Sequence, residues 1–167
     1  MRRLYLPAAA ALGLLAACQP QPITQADEDA IRANLAAFTT AANAGNVNGM
    51  AAGYAADATI QPPGMPAATG TAAIHKLWTD LSAPARVNLR LNVTKVAGQG
   101  DVAYATGTYH IVFTPKDSTQ ASPPAEDGKF VNVYWRQADK SWKVLVDNWN
   151  TNSMPTMAPP ARPARRH

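Results

Sequence analysis

Between residues 128 and 152 the chain reads GKFVNVYWRQADKSWKVLVDNWNTN, and apolar and polar residues change places one by one over residues 130–136 and again over 142–148. A period of two fits a pleated strand with one buried face, whereas a helix would repeat its buried stripe every 3.6 residues. Ala138, Asp139, Lys140 and Ser141 separate the two runs, so the stretch reads as an antiparallel hairpin. Its second strand sets one carboxylate, Asp147, between Leu145 and Trp149 on the same face.

The residues before it supply more strands and the helices to cover them. Leu89, Leu91 and Val93 alternate with Asn88, Arg90, Asn92 and Thr94, a half-buried strand. Ala97-Gly98-Gln99-Gly100-Asp101 makes a turn, residues 102–113 return as a long strand, and the Pro- and Ser-rich residues 114–127 read as an exposed loop. Upstream the period is helical. Thr24 caps a helix of about twenty residues, with Asp27, Glu28 and Asp29 in its first turn, Ile31, Leu35, Phe38 and Ala42 on one face, and Gly45 as its stop. A shorter helix carries Val47, Met50 and Tyr54, and a brief strand at 58–61 runs into Pro62-Pro63-Gly64. Thr71 caps a further helix striped by Ile74, Leu77, Trp78 and Leu81 and ended by Pro84. Helices first and a four-stranded antiparallel meander after them predict an α+β fold, with the helices gathered on one face of a curved sheet.

Charge and cysteine content bound the rest. The 167 residues carry a formal charge of +4, yet residues 25–152 hold ten Lys and Arg against eleven Asp and Glu. The excess sits at the two ends, leaving no basic stripe for a nucleic-acid backbone. Arg2 and Arg3, an apolar run over residues 4–15 and small residues after it form a secretory signal, too short to span a bilayer. Leu15-Ala16-Ala17-Cys18 resembles the lipobox of bacterial lipoproteins, and Cys18 is the sole cysteine, so no disulfide can form within the chain. The resemblance implies acylation of Cys18 and, with Gln19 following, a cell-envelope location on the periplasmic side of the outer membrane. The expected organisation is a signal at 1–17, a lipidated cysteine and leash at 18–24, a folded domain at 25–152 and a disordered Pro- and Arg-rich tail at 153–167. That tail, with Arg162, Arg165, Arg166 and His167, reads as a solvated end or as a contact for anionic lipid or cell-wall polymer.

Gly45-Asn46, residues 54–59 (YAADAT), Gly70 before Ala73-Ile74 and Trp78, Gly107-Thr108-Tyr109, and Gly128-Lys129-Phe130 through Trp142-Lys143 to Asp147-Asn148-Trp149-Asn150 are similar to the SnoaL-like, ketosteroid isomerase-like (nuclear transport factor 2-like) superfamily. The resemblance implies a cone-shaped fold with an apolar pocket between sheet and helices, commonly in a homodimer. Aligned on the isomerase, its tyrosine position reads Phe38, its base position Pro62 and its protonated aspartate Asn132, and two of these cannot perform those roles. Asp147 resembles the last-strand acid/base aspartate of the cyclases. Beside that catalytic reading stands a structural one, in which Asp147 accepts from Lys129 or Arg136 on the neighbouring strand. Tyr54, Trp78, Tyr109, Tyr134 and Trp149 are candidates to line a ligand cavity or simply to fill the core, and Asn132 and Asn150 are its candidate polar contacts. His75 and His110 lack the spacing of a metal site, and no motif asks for a cofactor. The expected activity is binding of a small apolar or amphipathic molecule, the alternatives being a cyclase- or isomerase-type enzyme using Asp147 and a non-catalytic dimeric module.

Overall fold

A computed structural model describes residues 20–153. The signal segment, Cys18 and the tail from residue 154 lie outside the described residues. Helix α1, Gln25–Asn43, opens on a capping box in which Asp27 N–H donates to Thr24 Oγ1 and Thr24 N–H donates back to Asp27 Oδ2 at 2.9 Å. It ends before Gly45, whose φ of 65° is the left-handed turn a side chain would resist. Helix α2, Val47–Ala51, is short, because Gly53 O is taken by Val144 N–H at 3.0 Å and by Asn34 Nδ2 at 3.2 Å, which draws the chain into a strand. Tyr54, expected on that helix, therefore begins β1, Tyr54–Gln61.

After β1 the chain doubles back as the two-residue strand β2, Ala68–Thr69, and enters α3, Thr71–Ser82. Gly70 rather than Thr71 is the cap residue of α3, and it makes no side-chain cap. Then come β3, Ala85–Gln99, β4, Val102–Pro115, β5, Glu126–Arg136, and β6, Trp142–Thr151. The six strands form one sheet in the order β2-β1-β6-β5-β4-β3, antiparallel throughout except that β1 runs parallel to β6. The expected meander is β3 to β6; β1 and β2 extend it. The expected loop at 114–127 is shorter than its composition implies, since pairing resumes at Glu126 opposite Ile111.

One irregularity decides which face Asp147 occupies. Val144 pairs with Tyr134 and Val146 with Val133, so Leu145 is an extra residue in β6, a bulge. The inner face consequently runs Trp142, Val144 and then, one step out of phase, Asp147 and Trp149, opposite Arg136, Tyr134, Asn132 and Phe130 of β5.

Two apolar clusters fill the cone. At the closed end Ile31 and Leu35 of α1 pack against Val96, Ala103, Tyr134, Trp142 and Val144. Toward the open end Ala42, Met50, Ile60, Ile74, Trp78, Leu89 and Tyr109 form the other. A polar clasp locks α1 to the hairpin: Asp27 takes two bonds from the Arg136 guanidinium, at 2.7 and 3.0 Å, and one from Trp142 Nε1 at 3.0 Å. The edge strand β3 is covered where Asn43 bonds both N–H and C=O of Leu89. Before α1 the chain does not hang free, because Ile23 N–H donates to Gly98 O, Gly100 N–H to Gln21 O, and Gln99 Nε2 to Pro20 O at the β3–β4 turn.

Candidate functional site

The concave face of the sheet, with α1, α2 and α3, encloses a cavity of about 280 Å³. Its inner end is sealed by buried Leu35, Val144, Asn132 and Asp147, and its mouth lies where Pro63 and Met65 reach solvent beside partly exposed Ser82, Phe113 and Glu126. Aromatic rings make the wall between. Phe38 stands edge-on to Trp78 with centroids 5.2 Å apart, and Trp78 stacks on Trp149 at 5.8 Å and 16°.

Asp147 is 7% exposed and Asn132 is 6% exposed. Tyr54 donates its phenol O–H to Asp147 Oδ2 at 2.5 Å. The Asn132 amide, turned as the surrounding acceptors require, donates to Asp147 Oδ1 at 3.0 Å and to Val131 O at 3.2 Å. Burial pushes the Asp147 carboxyl up to about 6, against the smaller lowering effect of the Tyr54 bond. Burial, followed by the Asp147 charge, also pushes the Tyr54 phenol far above its ordinary range, so Tyr54 remains a donor. The cation partners considered for Asp147 are engaged elsewhere: Arg136 clasps Asp27, and Lys129 reaches Asn152 at 3.3 Å. Asp147 is therefore a carboxyl held by two neutral donors, able to lose or gain a proton near neutrality without an ion pair to oppose it.

The candidates divide by position. Tyr54, Trp78, Tyr109, Asn132, Asp147 and Trp149 converge on the one cavity. Tyr134 is fully buried behind it, its hydroxyl 3.5 Å from Asn34 Oδ1, and does not line the wall. Asn150 is exposed and does not line the cavity: on β6 it is one step out of phase with Trp149, which does. Phe38 and Pro62, the positions aligned with the isomerase tyrosine and base, also line the cavity. His75 bonds Asn48 and His110 bonds Asp127, both on the surface. Of the lining residues that were not foreseen, two bear on the chemistry of the site. Glu126, read as loop, reaches the mouth and accepts from Tyr109 O–H at 2.5 Å; the alternation Glu126, Gly128, Phe130, Asn132 carried back from the hairpin was the available signal. Phe130 is the other, facing Trp149 across the inner face.

A model of the SnoaL-like domain matches residues 35–144, more than half of the chain, from within α1 to the start of β6; Asp147 and Trp149 lie beyond the match. The chain belongs to the SnoaL-like domain family. No curated protein sequence matches this SnoaL-like chain. Among solved structures, a ketosteroid isomerase-like protein from Erwinia carotovora atroseptica superposes with a TM-score of 0.71 at 19% identity, covering 78% of this chain and 100% of that one. A nuclear transport factor 2-like superfamily protein from Salmonella enterica serovar Typhimurium gives 0.70 at 12% identity, covering 84% and 100%. A candidate dehydratase of the same fold family from Streptomyces avermitilis gives 0.63 at 21% identity, covering 76% and 97%. At such identities the likeness is one of fold, and the SnoaL-like cone hosts both binding proteins and isomerase, dehydratase and cyclase enzymes.

Proposed function

We propose that this SnoaL-like domain binds a small apolar or amphipathic molecule in its cone and works from the periplasmic side of the bacterial envelope, anchored through acylated Cys18. The observation carrying the binding reading is the cavity itself: a space of about 280 Å³ open at one end, walled by aromatic and aliphatic side chains, with a hydrogen-bonded polar cluster at its inner end. That is the usual composition of a ligand site, a greasy wall with few placed polar groups. A core meant only for stability would close over such a space, since unfilled volume is costly. Native mass spectrometry of the full chain tests it: an additional mass that is lost on denaturation is expected, and protein-only masses together with no response to any apolar probe overturn it. The anchor is tested by the mass of the mature N-terminus, which carries acyl chains on Cys18 if the reading holds. A homodimer through the outer sheet face is supported by Val102 beside Trp135, 44% exposed each, with Val131 on the same face.

Catalysis is the second reading, and one observation favours it. Asp147 titrates near 6 within hydrogen-bond reach of Tyr54, which suits a group that takes a proton from an acidic C–H and returns it elsewhere, with Tyr54 available as a donor beside it. Incubating the protein with a cyclic ketone in deuterated water should then speed C–H exchange in a manner abolished by Asp147→Asn. Exchange that is equal in wild type and variant removes this reading and leaves binding intact.

A further inference from the structure

We propose that the cavity selects amphiphiles whose head group is cationic, with Glu126 receiving that head at the mouth. The inference rests on the binding reading above and adds the chemical class of the ligand. It starts from the charges on the wall: Asp147 at the inner end, Glu126 at the mouth, and no lysine, arginine or histidine among the lining residues.

Among the described residues no cation lines the cavity, and those near it point outward or sit at its rim. Arg86 and Arg90 are exposed on β3, out of phase with Val87, Leu89 and Leu91, which line the cavity. His110, opposite Arg90, pairs with Asp127 on the outside. Lys116 sits at the rim with its ammonium held on the neutral Ser82 O at 2.9 Å, and Lys129, out of phase with Phe130 on β5, reaches Asn152. Among the described residues Glu126 has no ion pair; its partner is the Tyr109 phenol on Oε1, which leaves Oε2 without a protein donor. Tyr109 is fixed in that role because its ring lies across Gly128, where any side chain would strike it. Its phenol is pushed well above the ordinary range, first by burial and then by Glu126, so it stays a donor and keeps the carboxylate pointed at the mouth.

The spacing suits an amphiphile. Asn132 and Glu126 are six residues apart on the same face of β5, about 20 Å along the strand. Phe130 and the Tyr109 ring lie between them. An apolar body fits that interval, and a head group leaving it meets Glu126. An anionic head meets like charge there, and reversing the molecule brings it against Asp147 instead. A fatty acid is thus disfavoured in either orientation, whereas an alkylammonium is favoured with its head at Glu126, where it stays partly hydrated, over the buried Asp147, where it would lose its water.

Decylamine, decanol and decanoate share a chain and differ in head charge, the amine being protonated at pH 7 as a lysine is. Their binding to the full chain, below micelle-forming concentrations, can be read from the fluorescence of Trp78 and Trp149 at the cavity wall. The expected order is amine, alcohol, carboxylate, with the amine about two- to fivefold tighter than the alcohol, as befits one half-exposed ion pair. In Glu126→Gln the ratio of decylamine to decanol affinity should fall to about one. Decanoate binding as tightly as decylamine in the wild type, or an advantage that survives in Glu126→Gln, overturns the charge selection and leaves the cavity's function standing if decanol binds. A response to none of the three overturns both readings.

Discussion

Two aspartates, Asp27 and Asp147, face opposite environments, and their contributions to stability run in opposite directions with pH. Asp147 titrates at 3.8 in an exposed setting and about 6 in its buried one, so between those values the folded chain holds a proton that the unfolded chain has released. Its contribution is complete below pH 4 and is lost as the pH rises through 6, a difference of roughly 3 kcal/mol. Asp27 is the reverse. The Arg136 guanidinium holds its carboxyl far below the usual range, so its contribution is present above the ordinary carboxylate pKa and disappears on acidification. Thermal melts across the pH range should therefore peak at about pH 4 and fall from there to about pH 6. Asp147→Asn should flatten the alkaline side, raising stability at pH 8 by up to about 3 kcal/mol and leaving pH 4 without gain; a marked loss at pH 8 would mean that the charge is needed for folding. Asp27→Ala removes half of the capping box of α1 and leaves Arg136, only 20% exposed, with Asp101 at 3.2 Å, Gly100 O at 3.4 Å and the face of Trp142 as its remaining partners. Urea titration should show a loss on the order of 3 kcal/mol, and a loss under about 1 kcal/mol would contradict the role given to the clasp.

At the level of elements, the inner face of β5 and β6 is where small backbone details set the site. Gly128→Ala would push a methyl group into the Tyr109 ring and the Asn150 carbonyl. The expected cost is about 1–3 kcal/mol, together with loss of the Tyr109–Glu126 bond, seen as a fall in the Tyr109 pKa on spectrophotometric titration. The Leu145 bulge is equally specific, since without it Trp142 and Asp147 would point to opposite faces. Deleting Leu145 removes the extra residue itself and leaves Val144 and Val146 as neighbours in a regular ladder, so Asp147 should stay opposite Asn132 and keep its titration at about 6. Carboxyl chemical shifts against pH would report this, and loss of that titration would contradict the bulge as the extra residue. The hairpin, the helix from Thr24 and the helix around Trp78 were legible in the residues because each is a long periodic run. The bulge was not, because Leu145-Val146 reads as either phase of an alternation, and neither was the first half of β1, whose start depends on Gly53 bonding to distant residues, although its end at 58–61 was. Of the site, the aromatics and Asp147 could be found from periodicity. The Tyr54–Asp147 contact could not, for it joins residues 93 positions apart.

On the scale of the whole molecule, the cavity mouth and the N-terminal entry of the chain lie at opposite ends. Val87 lines the cavity near the start of β3, whereas Pro22 pairs with Gln99 at its far end, twelve residues and up to about 40 Å away along the strand. Cys18 precedes Pro20 by two residues, a reach of at most about 7 Å. On the lipoprotein reading, acyl chains at Cys18 therefore seat the β3–β4 turn against the bilayer. Spin labels at Val102→Cys and Met65→Cys on vesicle-bound, acylated protein should differ accordingly, the first in contact with lipid head groups and the second in open solvent; equal lipid contact for both would exclude this posture. Held this way, the cone stands on its apex with its opening toward the periplasm. Cargo then arrives by diffusion through water or from a partner across the gap, and the leaflet beneath serves as a mooring rather than as the source.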